Sequence, residues 1–173
     1  MKRRNWVLAG AAIAAGVAGA GLSWQRLRPG GNTPLGPDFW SQRFERPEGG
    51  ELVLDSLRGA PLLLNFWATW CPPCVKEMPL LDDFHRQHRA SGWQVLGLAV
   101  DSPTPVREFL TRRPMSFPIG LAGLGGTELS STLGNPSGSL PFTVVVRDGG
   151  VIDRKLGALD ASDLARWVSL GRN

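Results

Sequence analysis

One stretch of the sequence decides the fold: NFWATWCPPCVKEMP, residues 65–79. It overlaps a continuous apolar run over residues 61–68, which is typical of a strand buried on both faces of a parallel sheet. From residue 72 to about residue 89, apolar residues recur at helical spacing. Cys71 and Cys74 therefore fall where a buried strand ends and a helix begins.

This position favours redox chemistry, because a thiol attacks as its thiolate and a helix N-terminus stabilises negative charge. We predict that Cys71, at the start of the first turn, is exposed and readily ionised. Cys74 lies one turn on, within disulfide reach but more buried. Pro72 and Pro73 suit a helix start, where a missing N–H costs nothing, and they leave fewer donors for a Cys71 thiolate.

A zinc site is the competing interpretation, because His85 and His88 follow the two cysteines. On one continuous helix, His85 lies about 16 Å beyond Cys74 at 1.5 Å per residue. Zinc requires ligands within about 2.3 Å. We therefore predict no metal at the cysteines and place both histidines on a solvated helix face.

Charge is concentrated at the N-terminus. Five of the 19 basic residues lie before residue 29, which leaves 14 against all 15 acidic residues in the remainder. A nearly neutral domain has no basic surface for nucleic acid, so we expect no nucleic-acid partner. The 173 residues are consistent with one domain of ordinary size.

Residues 1–27 have the layout of a signal peptide or signal-anchor. A basic cluster at residues 2–4 precedes an uncharged, mostly apolar run over residues 5–25. We favour an uncleaved anchor that places the domain on the periplasmic side of the inner membrane, although residues 18–20 offer a cleavage site. Residues 28–37 are rich in Pro and Gly and are predicted to be a linker.

The remaining pattern predicts an α/β fold with a mixed sheet and helices on both faces. A first β-hairpin is expected over residues 39–44 and 51–54, and a second over 142–147 and 151–156 around the turn at residues 148–150. Further elements are predicted as strands at 93–100 and 117–121 and as helices at 103–113, 127–133 and 160–170.

Residues 65–79 closely resemble the TlpA/ResA family of membrane-anchored thioredoxin-like proteins. The match comprises the aromatic strand end, Trp70 before the first cysteine, the C-x-x-C pair, and then Glu77 and Pro79. Residues 140–143, Leu-Pro-Phe-Thr, match as well. The resemblance implies a thioredoxin-like fold over residues 38–173, with a mixed central sheet and an extra N-terminal β-hairpin.

The resemblance also implies roles for single residues. Cys71 would attack, Cys74 would resolve, and Glu77 would tune the cysteines and assist proton transfer. Thioredoxin has a buried Asp at the position of Asn65, which cannot titrate, so Glu77 or water is the better proton carrier. Pro141 would be a cis-proline facing the pair. The expected docking residues are Trp70, Pro72, Pro73, Leu140 and Pro141, whereas Trp67 is expected in the core.

We therefore predict a periplasmic dithiol that reduces disulfides of exported proteins, such as apocytochrome c or metal-site assembly proteins. Electrons would come from a membrane thiol transporter, and no cofactor is expected beyond the Cys71–Cys74 disulfide. One alternative is a peroxiredoxin-like peroxidase, which would need a Thr spaced differently from Thr69 relative to Cys71. The other alternative is a binding module whose disulfide is only structural.

Overall fold

The computed structural model describes residues 33–170, which form a mixed eight-stranded sheet flanked by helices. The strands are β1 (Thr33–Pro34), β2 (Arg43–Glu45), β3 (Glu51–Val53), β4 (Leu62–Trp67), β5 (Gln94–Ala99), β6 (Ile119–Leu121), β7 (Phe142–Arg147) and β8 (Gly150–Leu156). The helices are α1 (Pro37–Trp40), α2 (Pro72–His88), α3 (Pro103–Arg112), α4 (Gly125–Thr132) and α5 (Ala161–Leu170).

The sheet has the order β1-β8-β7-β4-β5-β6-β2-β3. Strands β4, β5 and β6 are parallel, and the flanking strands on both sides pair antiparallel. Every residue of β4 is buried, as its continuous apolar run predicts. The end of β4 that leads into α2 therefore lies at the centre of the sheet.

The two faces of β4 contribute to separate apolar clusters, as the alternation of a strand requires. Leu63 and Trp67 pack with residues of α2, α3 and α5. Leu62, Leu64 and Phe66 pack on the other face with residues of α1 and α4. This confirms the predicted thioredoxin-like α/β class, with a mixed sheet and helices on both faces.

The N-terminal part of the domain departs from the prediction in two places. The first hairpin exists, but its first strand is only Arg43–Glu45, because Pro37–Trp40 forms a short helix that buries Phe39 and Trp40. The linker predicted over residues 28–37 is too long at its C-terminal end. Thr33–Pro34 pairs with β8 as an edge strand, where a proline is tolerated.

The C-terminal part follows the prediction closely. Asp148 and Gly149 turn the chain between β7 and β8 with φ values of 52° and 77°, as expected for a tight hairpin turn. Asp160 caps α5, since its Oδ1 accepts hydrogen bonds from the backbone N–H groups of Ser162 and Asp163.

The predicted export segment, residues 1–27, lies outside the described residues. Between residues 33 and 170 no helix has the length and apolar character needed to cross a bilayer.

Candidate active site

Cys71 and Cys74 form a disulfide at the N-terminus of α2, with their Cα atoms 5.3 Å apart. Cys71 is the N-cap residue, and its Sγ lies 3.3 Å from the backbone N of Cys74, which donates to it. Pro72 and Pro73 occupy the first two helical positions and have no N–H. The amide of Cys74 is therefore the first helix amide that can serve the Cys71 sulfur.

The prediction that Cys71 is exposed is wrong for the disulfide form. Only 4% of Cys71 is exposed, and Cys74 is fully buried. Both cysteines pack into the apolar cluster that contains Met78 and Leu159. The predicted difference in exposure between the two cysteines is retained, since Cys71 is the one that keeps contact with solvent.

The turn between β4 and the disulfide is held by Asp101, the second residue after the end of β5. Its Oδ2 accepts hydrogen bonds from the backbone N–H and the hydroxyl of Thr69, at 2.8 and 2.5 Å. The next residue, Trp70, is 65% exposed beside Cys71, whereas Trp67 is buried in the core as predicted. Trp70 thus presents an aromatic surface on a turn whose backbone is fixed.

Glu77 is buried, with 3% of its surface exposed, one helical turn after Cys74. Its Oε1 accepts a hydrogen bond from Asn65 Nδ2 at 2.8 Å, and its Oε2 accepts one from the Leu159 backbone N–H at 2.7 Å. Burial raises the pKa of Glu77 above its ordinary value, and the two hydrogen bonds oppose that rise. The burial of Glu77 and its two hydrogen bonds exclude the interpretation that it is a solvated surface residue.

Asn65 connects Glu77 to the neighbouring strand. Its Nδ2 also donates to Thr143 Oγ1 at 2.9 Å, across the β4–β7 pair. Its Oδ1 is buried and has no hydrogen-bond partner within residues 33–170. The parts played by Thr143 and by the Leu159 amide were missed at the sequence level, although Asn65 and Thr143 are polar residues within apolar strands.

The residues predicted for docking lie at the same end of the sheet. The Leu140–Pro141 peptide bond is cis, as the resemblance implies. Pro141 directly precedes β7, whose first residue pairs with Phe66 near the end of β4. Pro72 and Pro73 are exposed at the start of α2, whereas Leu140 is half-buried and Pro141 is buried.

The two histidines are not on a fully solvated face, which corrects that expectation. Both are half-buried. The ring of His85 packs edge-on against Phe117, and burial, together with the charge of Arg89, lowers the pKa of His85. The ring of His88 packs against Phe84 at 4.7 Å.

A C-x-x-C disulfide at a helix N-terminus, with a cis-proline at the same end of a mixed sheet, defines a thioredoxin-fold thiol–disulfide oxidoreductase. Comparison with known proteins agrees with this class. The family model described as Redoxin matches residues 34–167, and the chain belongs to this family.

Thiol-disulfide oxidoreductase ResA of Bacillus anthracis is 31% identical over 123 residues, which are 70% of this chain and 69% of that relative. The solved thioredoxin-related protein from Neisseria meningitidis serogroup B is 30% identical with a TM-score of 0.66, covering 75% of this chain and 98% of its own. A thioredoxin family thiol:disulfide interchange protein from Chlorobium tepidum TLS shares the fold, with 23% identity and a TM-score of 0.69, covering 81% and 96% of the two chains.

Proposed function

We propose that this protein reduces disulfides of exported proteins through dithiol exchange at Cys71 and Cys74. The observation that carries the proposal is the Cys71–Cys74 disulfide at the N-terminus of α2, with Cys71 the more exposed of the two residues. Only a sulfur that a partner can reach can start an exchange, so Cys71 is the attacking thiol and Cys74 the resolving one.

In the first step, the Cys71 thiolate attacks one sulfur of a partner disulfide. A Cys71–partner disulfide forms, and the partner's other sulfur leaves as a thiolate that takes up a proton. In the second step, the Cys74 thiolate attacks Cys71 Sγ, which re-forms the internal disulfide and releases the second partner thiol. The partner gains two electrons, and a dithiol donor must then reduce the protein again.

Glu77 serves in this scheme as the proton acceptor for Cys74. The carboxyl group lies one helical turn from Cys74 on the buried side of α2, where bulk water has little access. A pKa raised by burial moves the carboxyl closer to the operating pH, which favours its use as a base. Asn65 and the Leu159 amide act as positioning groups, because they hold the two carboxyl oxygens.

The proposed location and partners are supported by the N-terminal sequence and the family resemblance. A basic cluster followed by an uncharged run over residues 5–25 supports export with an N-terminal anchor in the inner membrane. Substrates would be exported proteins such as apocytochrome c or metal-site assembly proteins, with a membrane thiol transporter as electron donor. The cycle needs no cofactor beyond the cysteine pair.

Peroxide reduction is less well supported by the geometry. The Thr69 hydroxyl, the candidate for polarising a peroxide, donates instead to Asp101 at 2.5 Å. The sulfur that would resolve an oxidised Cys71 is already three residues away, as dithiol exchange requires. A peroxide-consumption assay with the reduced protein distinguishes the two activities, and we expect disulfide reduction to be much faster.

Trapping of mixed disulfides tests the proposal. Cys74→Ser removes the resolving sulfur and keeps the nucleophile, so a covalent adduct with a partner should persist on non-reducing gels. Cys71→Ser is the matched control and should give far less adduct, since Cys74 is fully buried. Better trapping by Cys71→Ser would reverse the assignment. If neither variant gives an adduct and the wild-type protein has no disulfide reductase activity, the disulfide is only structural.

A further inference from the structure

Large apolar side chains are exposed mainly at the disulfide end of the sheet. Within residues 33–170, the exposed ones are Trp70 (65%), Leu124 (92%), Leu156 (55%) and Leu170 (42%). Trp70 follows β4, and Leu124 follows β6, which runs in the same direction. Leu156 is the last residue of β8 and pairs with the first residue of β7, so it lies at the same end of the sheet. Three of the four therefore lie at the end of the sheet that carries the redox pair.

Trp70, the residue next to Cys71, and Leu124 line the same pocket, which has a volume of about 440 Å³. The remaining lining residues come from the segments that follow β5 and β6, from the first residue of α3 and from the first turn of α4: Val100, Asp101, Ser102, Pro103, Gly123 and Thr127.

The backbone that carries Leu124 is held firmly in place. The N–H of Gly123 donates to Ala99 O at 3.0 Å, and Leu124 O accepts from the N–H of Thr127 at 3.0 Å. Gly126 lets α4 pack closely against Val100, the residue after β5, since a Cβ added at Gly126 would lie 2.9 Å from Val100 Cγ2. The 92% exposure of Leu124 is therefore built into the fold and does not come from a loose loop.

The polar groups of the pocket are largely used within the protein. Asp101 is its one carboxylate, and its Oδ2 is occupied by both donors of Thr69. The other oxygen, Oδ1, accepts from the N–H of Ser102 at 2.7 Å. A charged or strongly polar guest would find few free partners, whereas an apolar guest would cover the side chains of Trp70 and Leu124.

We propose that Leu124 and Trp70 form a subsite for a large apolar side chain that flanks the reacting cysteine of the partner polypeptide. The exchange reaction brings the partner chain to Cys71, the residue next to Trp70, so the pocket is within reach of its neighbouring residues. The substrates favoured by this subsite are disulfides in chains that have not yet buried the apolar residues beside their cysteines. The inference rests on the exchange step of the proposed function.

A pair of symmetric peptide disulfides tests the subsite. One is the disulfide-linked dimer of Leu-Gly-Cys-Gly-Leu, and the other is the dimer of Ser-Gly-Cys-Gly-Ser, so either sulfur gives the same product. The pre-reduced full-length protein is mixed with each, and released peptide thiol is measured in a single turnover. We expect the leucine peptide to react about tenfold faster, the low end of what an apolar pocket contributes to discrimination.

Three variants assign the preference to the pocket. Leu124→Ser should bring the leucine-to-serine rate ratio close to one, and Leu124→Met should keep most of it. Leu170→Ser is the matched control and should keep the wild-type ratio, because Leu170 lies at the other end of the sheet, where its carbonyl accepts from Arg147.

The outcomes separate the two hypotheses. A wild-type ratio near one, or an unchanged ratio in Leu124→Ser, would overturn the subsite while leaving the exchange activity intact. The same loss in Leu170→Ser would also overturn it, since the effect would not be local. If the wild-type protein reduces neither of the two peptides nor glutathione disulfide, the proposed function is instead rejected.

Discussion

Replacing Glu77 with glutamine is expected to change how the free energy of unfolding depends on pH. In the folded protein, burial raises the pKa of Glu77 above the ordinary value of 4.5, which applies to the unfolded chain. Well below pH 4.5 the carboxyl is protonated in both states, so its contribution to stability is fully present. As the pH rises further, the unfolded chain loses the proton first and the folded state loses stability. The slope reaches at most about 1.4 kcal/mol per pH unit and ends once the pH passes the folded pKa.

Glutamine suits this test because the surrounding groups can accommodate it. Its Oε1 can accept from the Leu159 N–H, as Glu77 Oε2 does now. Its Nε2 can donate to Asn65 Oδ1 once the Asn65 amide turns over, and the Thr143 hydroxyl can donate to the same oxygen. Asn65 Oδ1 gives up no bond in this change, since it has no partner within residues 33–170. The variant therefore removes the ionisable group and keeps the packing.

The measurement is urea unfolding of the oxidised proteins at a series of pH values from about 4 to 8. We expect the stability of the wild type relative to Glu77→Gln to fall as pH rises from 4.5. Glu108→Gln, at an exposed position of α3, is the control and should follow the wild type. After reduction, the pH profile of Cys71 alkylation should also differ between wild type and Glu77→Gln. If the stability difference is independent of pH and the alkylation profiles superimpose, the proton-carrier role is wrong.

Two further predictions concern the scaffold and the location. Asp82→Ala should lower the free energy of unfolding by about 1–3 kcal/mol, because buried Oδ1 accepts from the N–H and hydroxyl of Ser116 at 2.5 and 2.6 Å. Urea unfolding measures this, and Asp83→Ala, at an exposed position, should cost much less. The full-length protein should be found in the membrane fraction and be open to protease from the periplasmic side, and recovery in the cytosol would contradict the anchor.

The sequence allowed the prediction of those parts of the site that depend on local chemistry. A C-x-x-C pair between an apolar run and a helical pattern places the disulfide without any knowledge of tertiary contacts. The Asp148–Gly149 turn was predictable for the same reason, since it depends on the conformational preference of two residues.

The parts that could not be predicted depend on neighbours distant in sequence. The edge strand Thr33–Pro34 is too short for a hydrophobic pattern, and its pairing with β8 joins segments more than a hundred residues apart. Likewise, the burial of Glu77 depends on the Leu159 amide, which arrives from the segment after β8. The 4% exposure of Cys71 is also set by packing around the disulfide rather than by the helix start itself.

The electrostatics of the site bear on the direction of electron flow. A dithiol is a weak reductant when its thiolate is well stabilised, because that stabilises the reduced form. Here two of the first three positions of α2 are proline, which leaves the Cys74 amide as the first helix donor for a Cys71 thiolate. A buried Glu77 carboxylate one turn beyond Cys74 would repel a second negative charge. Both features limit how far the thiolates are stabilised, and they therefore support the proposal that the reduced pair donates electrons to its partners.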